Sequence, residues 1–241
     1  MRKVLVIDDE KATLNMFRLF LTAYGYTVFL AENGSAGLEI FEKERPPIVF
    51  TDVKMPGMDG FEVLKRLKEI EPKTEIIIVT GHGDMDLVLK ALHLDVTDFI
   101  NKPIQRTALE SALARAEWRI KSGGLQQTRV SSRVRDDATI LYIEGDVNAQ
   151  SGTVLAEVCK EAKDKGARRM VLHFDENSRI NSDGVAILNR LIEDCKRENR
   201  KVAVTGISET LKNVFSMVGI SRMARTYSSE EEAVDSFEQN G

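Results

Sequence analysis

Four apolar runs in the first half of the chain end in side chains that could bind a metal ion or a phosphoryl group. These side chains are Asp8, Asp9, Asp52, Thr80 and Lys102. Carboxylates packed together repel one another unless a cation compensates, and Mg²⁺ prefers hard oxygen ligands. One carboxylate could then attack phosphorus while the ammonium stabilises charge on the transferring oxygens. The residue types therefore indicate a phosphoryl-acceptor site that holds a divalent cation.

The apolar runs are typical of buried strands, and helical patterns separate them. We predict strands at 3–8, 26–30, 47–51, 75–80 and 97–101, and helices at about 11–24, 34–44, 59–70, 84–94 and 105–121. This alternation predicts an α/β fold with a doubly wound five-stranded parallel sheet. Because the carboxyl ends of parallel strands meet at one edge, the five side chains should converge there.

The last helix of this half should bury one face, formed by Leu109, Ala112, Leu113, Ala116 and Ile120. Ser122 and two glycines then end it, because glycine loses too much backbone entropy in a helix. We therefore divide the chain into a first domain at 1–122, a linker at 123–128 and a second domain at 129–241.

The second half also reads as α/β, with a mixed sheet. Strands at 129–135 and 138–144 suit an antiparallel pair. The predicted elements that follow are helix 149–165, strand 169–174, helix 182–199, strand 201–205, helix 208–217, strand 224–227 and helix 229–238.

Composition excludes several classes of function. The formal net charge is -4, and each half carries 17 Lys+Arg against 19 Asp+Glu. Neither half has the basic excess that binding to a phosphate backbone requires, so we expect no direct contact with nucleic acid. No apolar run approaches the roughly 20 residues that span a membrane. Cys159 and Cys195 lack metal-ligand spacing and should be reduced core thiols. We expect a cytoplasmic protein.

The first half resembles the receiver domain of two-component response regulators. The resemblance covers residues 1–121 and rests on Asp8-Asp9, on Asp52 within 52–60, on Thr80-Gly81 and on Lys102-Pro103. It implies a flavodoxin-like fold. It also implies that a cognate histidine kinase, or a small phosphodonor, phosphorylates Asp52.

The resemblance further implies a metal site. Asp9, Asp52 and the backbone carbonyl of Lys54 would bind Mg²⁺ or Mn²⁺, and Asp8 would act largely through water. Lys102 would contact the oxygens of the phosphoryl group. Such a domain catalyses only its own phosphorylation and dephosphorylation, so we expect no enzyme in the wider sense.

A switch is implied as well. Thr80 would move toward the phosphoryl group and Phe99 would turn inward, which reshapes the face formed by residues 84–121. Many receivers carry tyrosine at the position of Phe99. Alternatively, Phe99 only packs in the core and takes no part in a switch. Receivers often pair through this face, so the resemblance also allows a homodimer that forms through it.

Residues 129–238 resemble the STAS domain of bacterial anti-sigma factor antagonists. The matching segments are 171–175, 180–185, 202–206 and 211–220. In that family a kinase-type anti-sigma factor phosphorylates the serine before the helix, and Ser182 occupies this place. Asn181 and Asp183 depart from the Asp-Ser-Ser/Thr-Gly that the family often has. Asn181 and Ser182 are also good helix N-caps, so a purely structural role stays open.

Together these observations lead to one main hypothesis. Phosphorylation of Asp52 would control a STAS surface near Ser182, with Asn181, Asp183 and Gly184 as candidate contact residues. The partner would be an anti-sigma factor or a related serine kinase or phosphatase. Alternatively, the second domain senses a nucleotide or anion, although no glycine-rich phosphate loop is visible. A hydrolase would need a Gly-x-Ser-x-Gly elbow around its serine, and this elbow is missing.

Overall fold

The computed structural model describes residues 2–81, 92, 94, 96–124 and 127–238. The chain divides into two compact units, one up to residue 124 and one from residue 125 onward. Most of the helix that we predict over 84–94 lies outside the described residues, and so does part of the face at 84–121.

The N-terminal unit contains one parallel sheet with strand order β2-β1-β3-β4-β5. The strands are β1 (Arg2–Ile7), β2 (Tyr26–Ala31), β3 (Ile48–Asp52), β4 (Glu75–Thr80) and β5 (Asp98–Asn101). The described helices are α1 (Lys11–Ala23), α2 (Gly34–Glu44), α3 (Gly60–Ile70) and α4 (Arg106–Lys121). The predicted doubly wound sheet is therefore confirmed.

The central strands are buried because helices cover both faces of the sheet. Every residue of β3 and β4 is buried. On one face Phe17 and Phe50 pack with their ring centroids 5.0 Å apart, and they belong to a core that includes residues of α4. On the other face, residues of α2 and α3 pack against β1, β3 and β4. This burial of both faces explains why the strands read as continuous apolar runs rather than alternating ones.

Helix α4 is held to the amino ends of β4 and β5 by buried polar groups. Arg119 is only 3% exposed, and its Nε lies 3.1 Å from Glu75 Oε2. The hydroxyl of Thr97 donates to the same carboxylate at 2.6 Å. Arg115 pairs with Asp98 one turn earlier on the helix. Ile120, which we expected on the buried face, is 41% exposed, because the buried carboxylate of Glu75 draws the neighbouring arginine inward instead.

The C-terminal unit has a mixed sheet with strand order β12-β11-β9-β7-β6, as predicted. Its strands are β6 (Arg129–Arg135), β7 (Ala138–Glu144), β9 (Arg169–Phe174), β11 (Lys201–Thr205) and β12 (Ala224–Thr226). Strands β6 and β7 are antiparallel, and the other pairs are parallel. The described helices are α5 (Ser151–Asp164), α6 (Ser182–Arg197), α7 (Glu209–Met217), α8 (Glu230–Glu238) and a 3₁₀ turn (Ile220–Arg222). Cys159 and Cys195 are buried free thiols.

A short two-stranded ladder lies beside the start of α6. It joins β8 (Asp146–Val147) to β10 (Arg179–Ile180) in parallel, and sequence patterns did not predict it because each strand has only two residues. The backbone N–H of Asn181 extends the ladder by donating to the Val147 carbonyl at 3.2 Å. The ladder thus fixes the point at which α6 begins.

Candidate functional site

Three carboxylates meet at the carboxyl edge of the N-terminal sheet. Asp8 follows β1 and Asp52 ends the neighbouring β3, so the parallel pairing of these strands brings the two residues together. Each of Asp8, Asp9 and Asp52 offers an oxygen within 4.8 Å of the others. Asp8 and Asp52 are 1% and 6% exposed, whereas Asp9 faces solvent. The predicted acid cluster therefore forms, with one open side.

Lys102 brings its ammonium group into this cluster from the end of β5. Its Nζ lies 3.0 Å from Asp8 Oδ2 and 3.4 Å from Asp52 Oδ2. The peptide bond to Pro103 is cis, and the backbone N–H of Lys102 donates to the Thr80 carbonyl at 2.7 Å. The ends of β4 and β5 are thus joined beside the carboxylates.

The two predicted switch residues occupy neighbouring strands. Thr80 is the last residue of β4, and it is 1% exposed. Phe99 is partly buried and packs against the core that α2 and α3 form with the sheet. Lys54 follows Asp52 by two residues, and its side chain is exposed.

The loop that carries Asp52 lies directly against the start of α3. A Cβ atom added to Gly60 would lie 2.2 Å from the Asp52 carbonyl oxygen and 2.9 Å from Val53 Cα. The N–H of Gly60 donates to the Val53 carbonyl at 3.0 Å, and the Asp59 carboxylate caps α3 by accepting from Phe61 N and Glu62 N. Glycine is therefore required here by the close approach of two backbone segments.

Replacing Gly60 with alanine should displace the Asp52 loop. We expect a loss of about 1–3 kcal/mol in the free energy of unfolding, since the methyl group would contact backbone atoms that cannot rotate away. Urea denaturation measures this loss. Gly152→Ala is the matched control, because a Cβ there would meet Ile187 Cδ1 at an ordinary 3.6 Å and alanine favours a helix. Equal stability of the two variants would contradict the close contact.

Burial raises the pKa values of two of these carboxyl groups. The pKa of Asp52 rises to about 6, mainly because burial penalises its charged form; Lys102 opposes this effect and the negative charge of Asp8 adds to it. Burial also raises the pKa of Asp8, against the bond from the Glu10 N–H and the contact with Lys102. The contacts with Asp8, Asp52 and Glu10 outweigh burial and raise the pKa of Lys102. The cluster therefore has an electrostatic cost that an added cation would relieve.

The pKa of Asp52 predicts a specific pH dependence for metal-free protein. A carboxyl group that binds its proton more tightly in the folded state stabilises the fold most at low pH, and this contribution is lost as pH rises through 6. Relative to Asp52→Asn, the wild type should therefore lose up to about 3 kcal/mol between pH 4 and pH 7. Urea denaturation of both proteins in EDTA measures the difference, in which the contributions of carboxyl groups distant from Asp52 cancel. Saturating Mg²⁺ should abolish the effect, and a pH-independent difference would contradict it.

The residues present fit a divalent cation. Asp8 Oδ2 is buried and lies 3.0 Å from the Lys102 ammonium, but no described residue makes a hydrogen bond of normal geometry to it. Three carboxylate oxygens within 4.8 Å of one another match the hard, anionic ligands that Mg²⁺ takes in proteins. Asp8, Asp9 and Asp52 can therefore hold such an ion.

Glu10 is an additional acidic residue that the motifs did not single out. Its Oε2 lies 3.3 Å from Lys102 Nζ and accepts from the Thr13 hydroxyl at 2.9 Å. The signal in the sequence was a third acid directly after Asp8-Asp9. A charged residue at the start of a helix is common, so this signal alone could not distinguish a contact with the site from a solvated side chain.

In the C-terminal unit, Ser182 is the first residue of α6 and is partly buried. The Asn181 side chain caps the helix by accepting from Gly184 N at 3.0 Å. Asp183 is exposed. Gly184 is buried, and a Cβ there would lie 2.2 Å from the Val147 carbonyl oxygen. Gly184 therefore permits the helix to pack on β8, and the accessible part of the predicted surface is formed by the three residues before it.

An open cavity of about 560 Å³ lies beside this helix start. The polar part of its lining is formed by Gln127, Thr128, Asn148, Gln150, Asn181 and Asp183.

His173 lies on β9, with Nδ1 2.9 Å from Thr205 Oγ1 and 3.3 Å from Glu230 Oε1. These contacts join the sheet to α8 and give His173 a structural role.

Among the residues that the structure describes, no helix is both long and apolar enough to cross a membrane. Comparison with known proteins gives two family matches. The response regulator receiver domain matches residues 4–114, and the STAS domain matches residues 129–233.

Curated relatives and solved structures match part of this chain. Sporulation initiation phosphotransferase F of Bacillus subtilis is 35% identical over 46% of this chain and 90% of its own length. Transcriptional regulatory protein FixJ of Bradyrhizobium diazoefficiens is 36% identical over 54% of this chain, but this chain spans only 65% of FixJ. A receiver-domain structure from Clostridium thermocellum is 35% identical with a TM-score of 0.49, covering 51% of this chain and 98% of its own. The chain belongs to the response regulator receiver family through its N-terminal unit, and a STAS domain follows.

Proposed function

We propose that the protein is a response regulator in which phosphorylation of Asp52 by a histidine kinase controls partner binding by the STAS domain. The observation that carries the first half of this proposal is the cluster of Asp8, Asp9 and Asp52 with its oxygens within 4.8 Å. Lys102 supports it by lying 3.0–3.4 Å from two of these carboxylates.

Phosphoryl transfer uses the side chains in different roles. An Asp52 oxygen forms a bond to phosphorus while the bond from phosphorus to the donor nitrogen breaks, and that nitrogen keeps the electron pair. Lys102 neutralises charge on the phosphoryl oxygens, and Thr80 donates its hydroxyl to them. Asp8, Asp9, Asp52 and the Lys54 carbonyl would hold Mg²⁺ or Mn²⁺, which supplies further positive charge to the same oxygens.

The switch then follows from the neighbouring strands. A hydroxyl bond from Thr80 to the phosphoryl group pulls the end of β4 toward Asp52. Phe99 lies on the adjacent strand, where Phe99 pairs with Ile78 in the sheet register. An inward turn of its partly exposed ring fills the space that this movement opens. The chain has no catalytic role beyond its own phosphorylation and dephosphorylation.

The STAS domain is the output in this proposal. Its partner is an anti-sigma factor or a related serine kinase or phosphatase that contacts Asn181, Ser182 and Asp183, with Gly184 setting the helix position. The partly buried Ser182 lies at a helix start, where backbone N–H groups stabilise a phosphate. Phosphorylation there would add about two negative charges and repel an acidic partner surface.

Two experiments test the proposal. Incubation with phosphoramidate and Mg²⁺, followed by mass spectrometry, should locate the phosphoryl group on Asp52.

Affinity capture of a serine kinase of the histidine-kinase fold should change when beryllofluoride, a phosphoryl mimic, is present. Ser182→Asp should prevent capture, whereas Ser216→Asp, at an exposed serine of the same domain, should not. Capture that ignores both beryllofluoride and Ser182→Asp would contradict the proposed output.

The remaining predictions belong to this proposal. Residues 1–122 form the input domain, 123–128 the linker and 129–241 the output domain, in a cytoplasmic protein without direct nucleic-acid contact. A homodimer would use the face at 84–121.

In the alternative, the STAS domain senses a nucleotide or anion. The cavity beside α6 gives this alternative little support, because the Asp183 carboxylate in its lining disfavours a negative ligand.

A further inference from the structure

The ammonium group of Lys102 is shared between three carboxylates. Asp8 and Asp52 belong to the buried cluster, at 3.0 Å and 3.4 Å from Nζ. Glu10 approaches from the solvent side at 3.3 Å, and its side chain is 61% exposed. An ammonium has three N–H donors. A phosphoryl group that arrives at Asp52 must therefore compete with carboxylates that already surround Lys102.

Glu10 is held in this position by its own contacts. It is the N-cap residue of α1. Side chains at this position often accept a hydrogen bond from the helix backbone, but the Glu10 side chain makes no such bond. Its carboxylate instead accepts from the Thr13 hydroxyl at 2.9 Å, and its backbone N–H donates to Asp8 Oδ1 at 2.9 Å. These contacts hold the Glu10 carboxylate beside the Lys102 ammonium.

We propose that Glu10 is a positioning residue that competes with the phosphoryl group for Lys102 and thereby limits phosphoryl occupancy at Asp52. This inference rests on the proposed function of Asp52. When the phosphoryl group is bound, Lys102 must give up part of its contact with Glu10, and two negative groups then face each other across the ammonium. Removing the Glu10 charge removes both the competitor and the repulsion.

Beryllofluoride binding to the full chain at saturating Mg²⁺ tests this inference without requiring turnover. Fluorine NMR reports the bound species directly. Glu10→Gln should bind beryllofluoride about two- to fivefold more tightly than wild type, the range expected for one partly exposed ion pair. Thr13→Val, which frees the Glu10 side chain, should show a smaller gain in the same direction.

Glu32→Gln is the matched control, because it removes one exposed acid of the same unit that pairs with Lys11 rather than with Lys102. Its affinity should equal that of wild type. Unchanged or weaker binding by Glu10→Gln, or an equal gain in Glu32→Gln, would overturn the inference while leaving the role of Asp52 intact. Failure of the wild type itself to bind beryllofluoride would overturn the proposed function, and this inference with it.

Discussion

Replacing Asp52 with asparagine should reduce phosphoryl transfer from phosphoramidate to below about 1% of the wild-type rate, because an amide cannot act as the nucleophile. Phosphate-affinity electrophoresis measures the modified fraction over time. The same substitution should stabilise metal-free protein at pH 7, since a buried charge with a raised pKa is removed.

Asp59→Asn is the matched control for this loss. Asp59 belongs to the same loop, and its carboxylate caps α3. Asparagine caps a helix about as well as aspartate, so the control variant should fold and accept phosphate normally. Continued phosphorylation of Asp52→Asn at the wild-type rate would show that another residue is the acceptor.

Replacing Arg119 with alanine should destabilise the N-terminal unit by about 3–5 kcal/mol, because the buried Glu75 carboxylate would lose its cation. Both residues are less than 5% exposed, and their contact is 3.1 Å. The Thr97 hydroxyl would still donate to Glu75, but a neutral donor cannot compensate a buried charge. Urea denaturation followed by circular dichroism measures the change.

Two further variants separate the charge from the packing. Arg106→Ala removes an exposed arginine of the same helix, which pairs with Glu110 at the surface, and it should leave the free energy of unfolding nearly unchanged. The double variant Glu75→Leu/Arg119→Leu should recover most of the stability, since apolar residues can replace a buried ion pair. A loss in the double variant as large as that in Arg119→Ala would contradict the electrostatic explanation.

The buried ion pairs also place α4 in the proposed signalling route. Arg119 and Arg115 bind the first residues of β4 and β5, while the opposite ends of these strands carry Thr80 and Lys102. Helix α4 leads directly into the predicted linker. A displacement of either strand would therefore act on the helix that precedes the STAS domain.

Local patterns in the sequence determined the fold and the main members of the site. The apolar runs and helical periods predicted both sheets, because burial on two faces leaves a clear signal. Asp8, Asp52, Thr80 and Lys102 could be placed together, because parallel strands bring their carboxyl ends to one edge. In the second domain, the same patterns located the start of α6 at Ser182.

Only the tertiary structure decided which polar residues are buried and what they contact. Periodicity placed Ile120 on the buried face of α4, yet Ile120 is exposed and Arg119 is buried. Arg119 is buried because it pairs with the Glu75 carboxylate, which lies 44 positions away in the chain. Glu10 and Gly60 gain their importance from Lys102 and from the Asp52 backbone, which lie close in space rather than in sequence. Such pairings depend on distances between separate elements, and hydrophobic patterns carry no information about them.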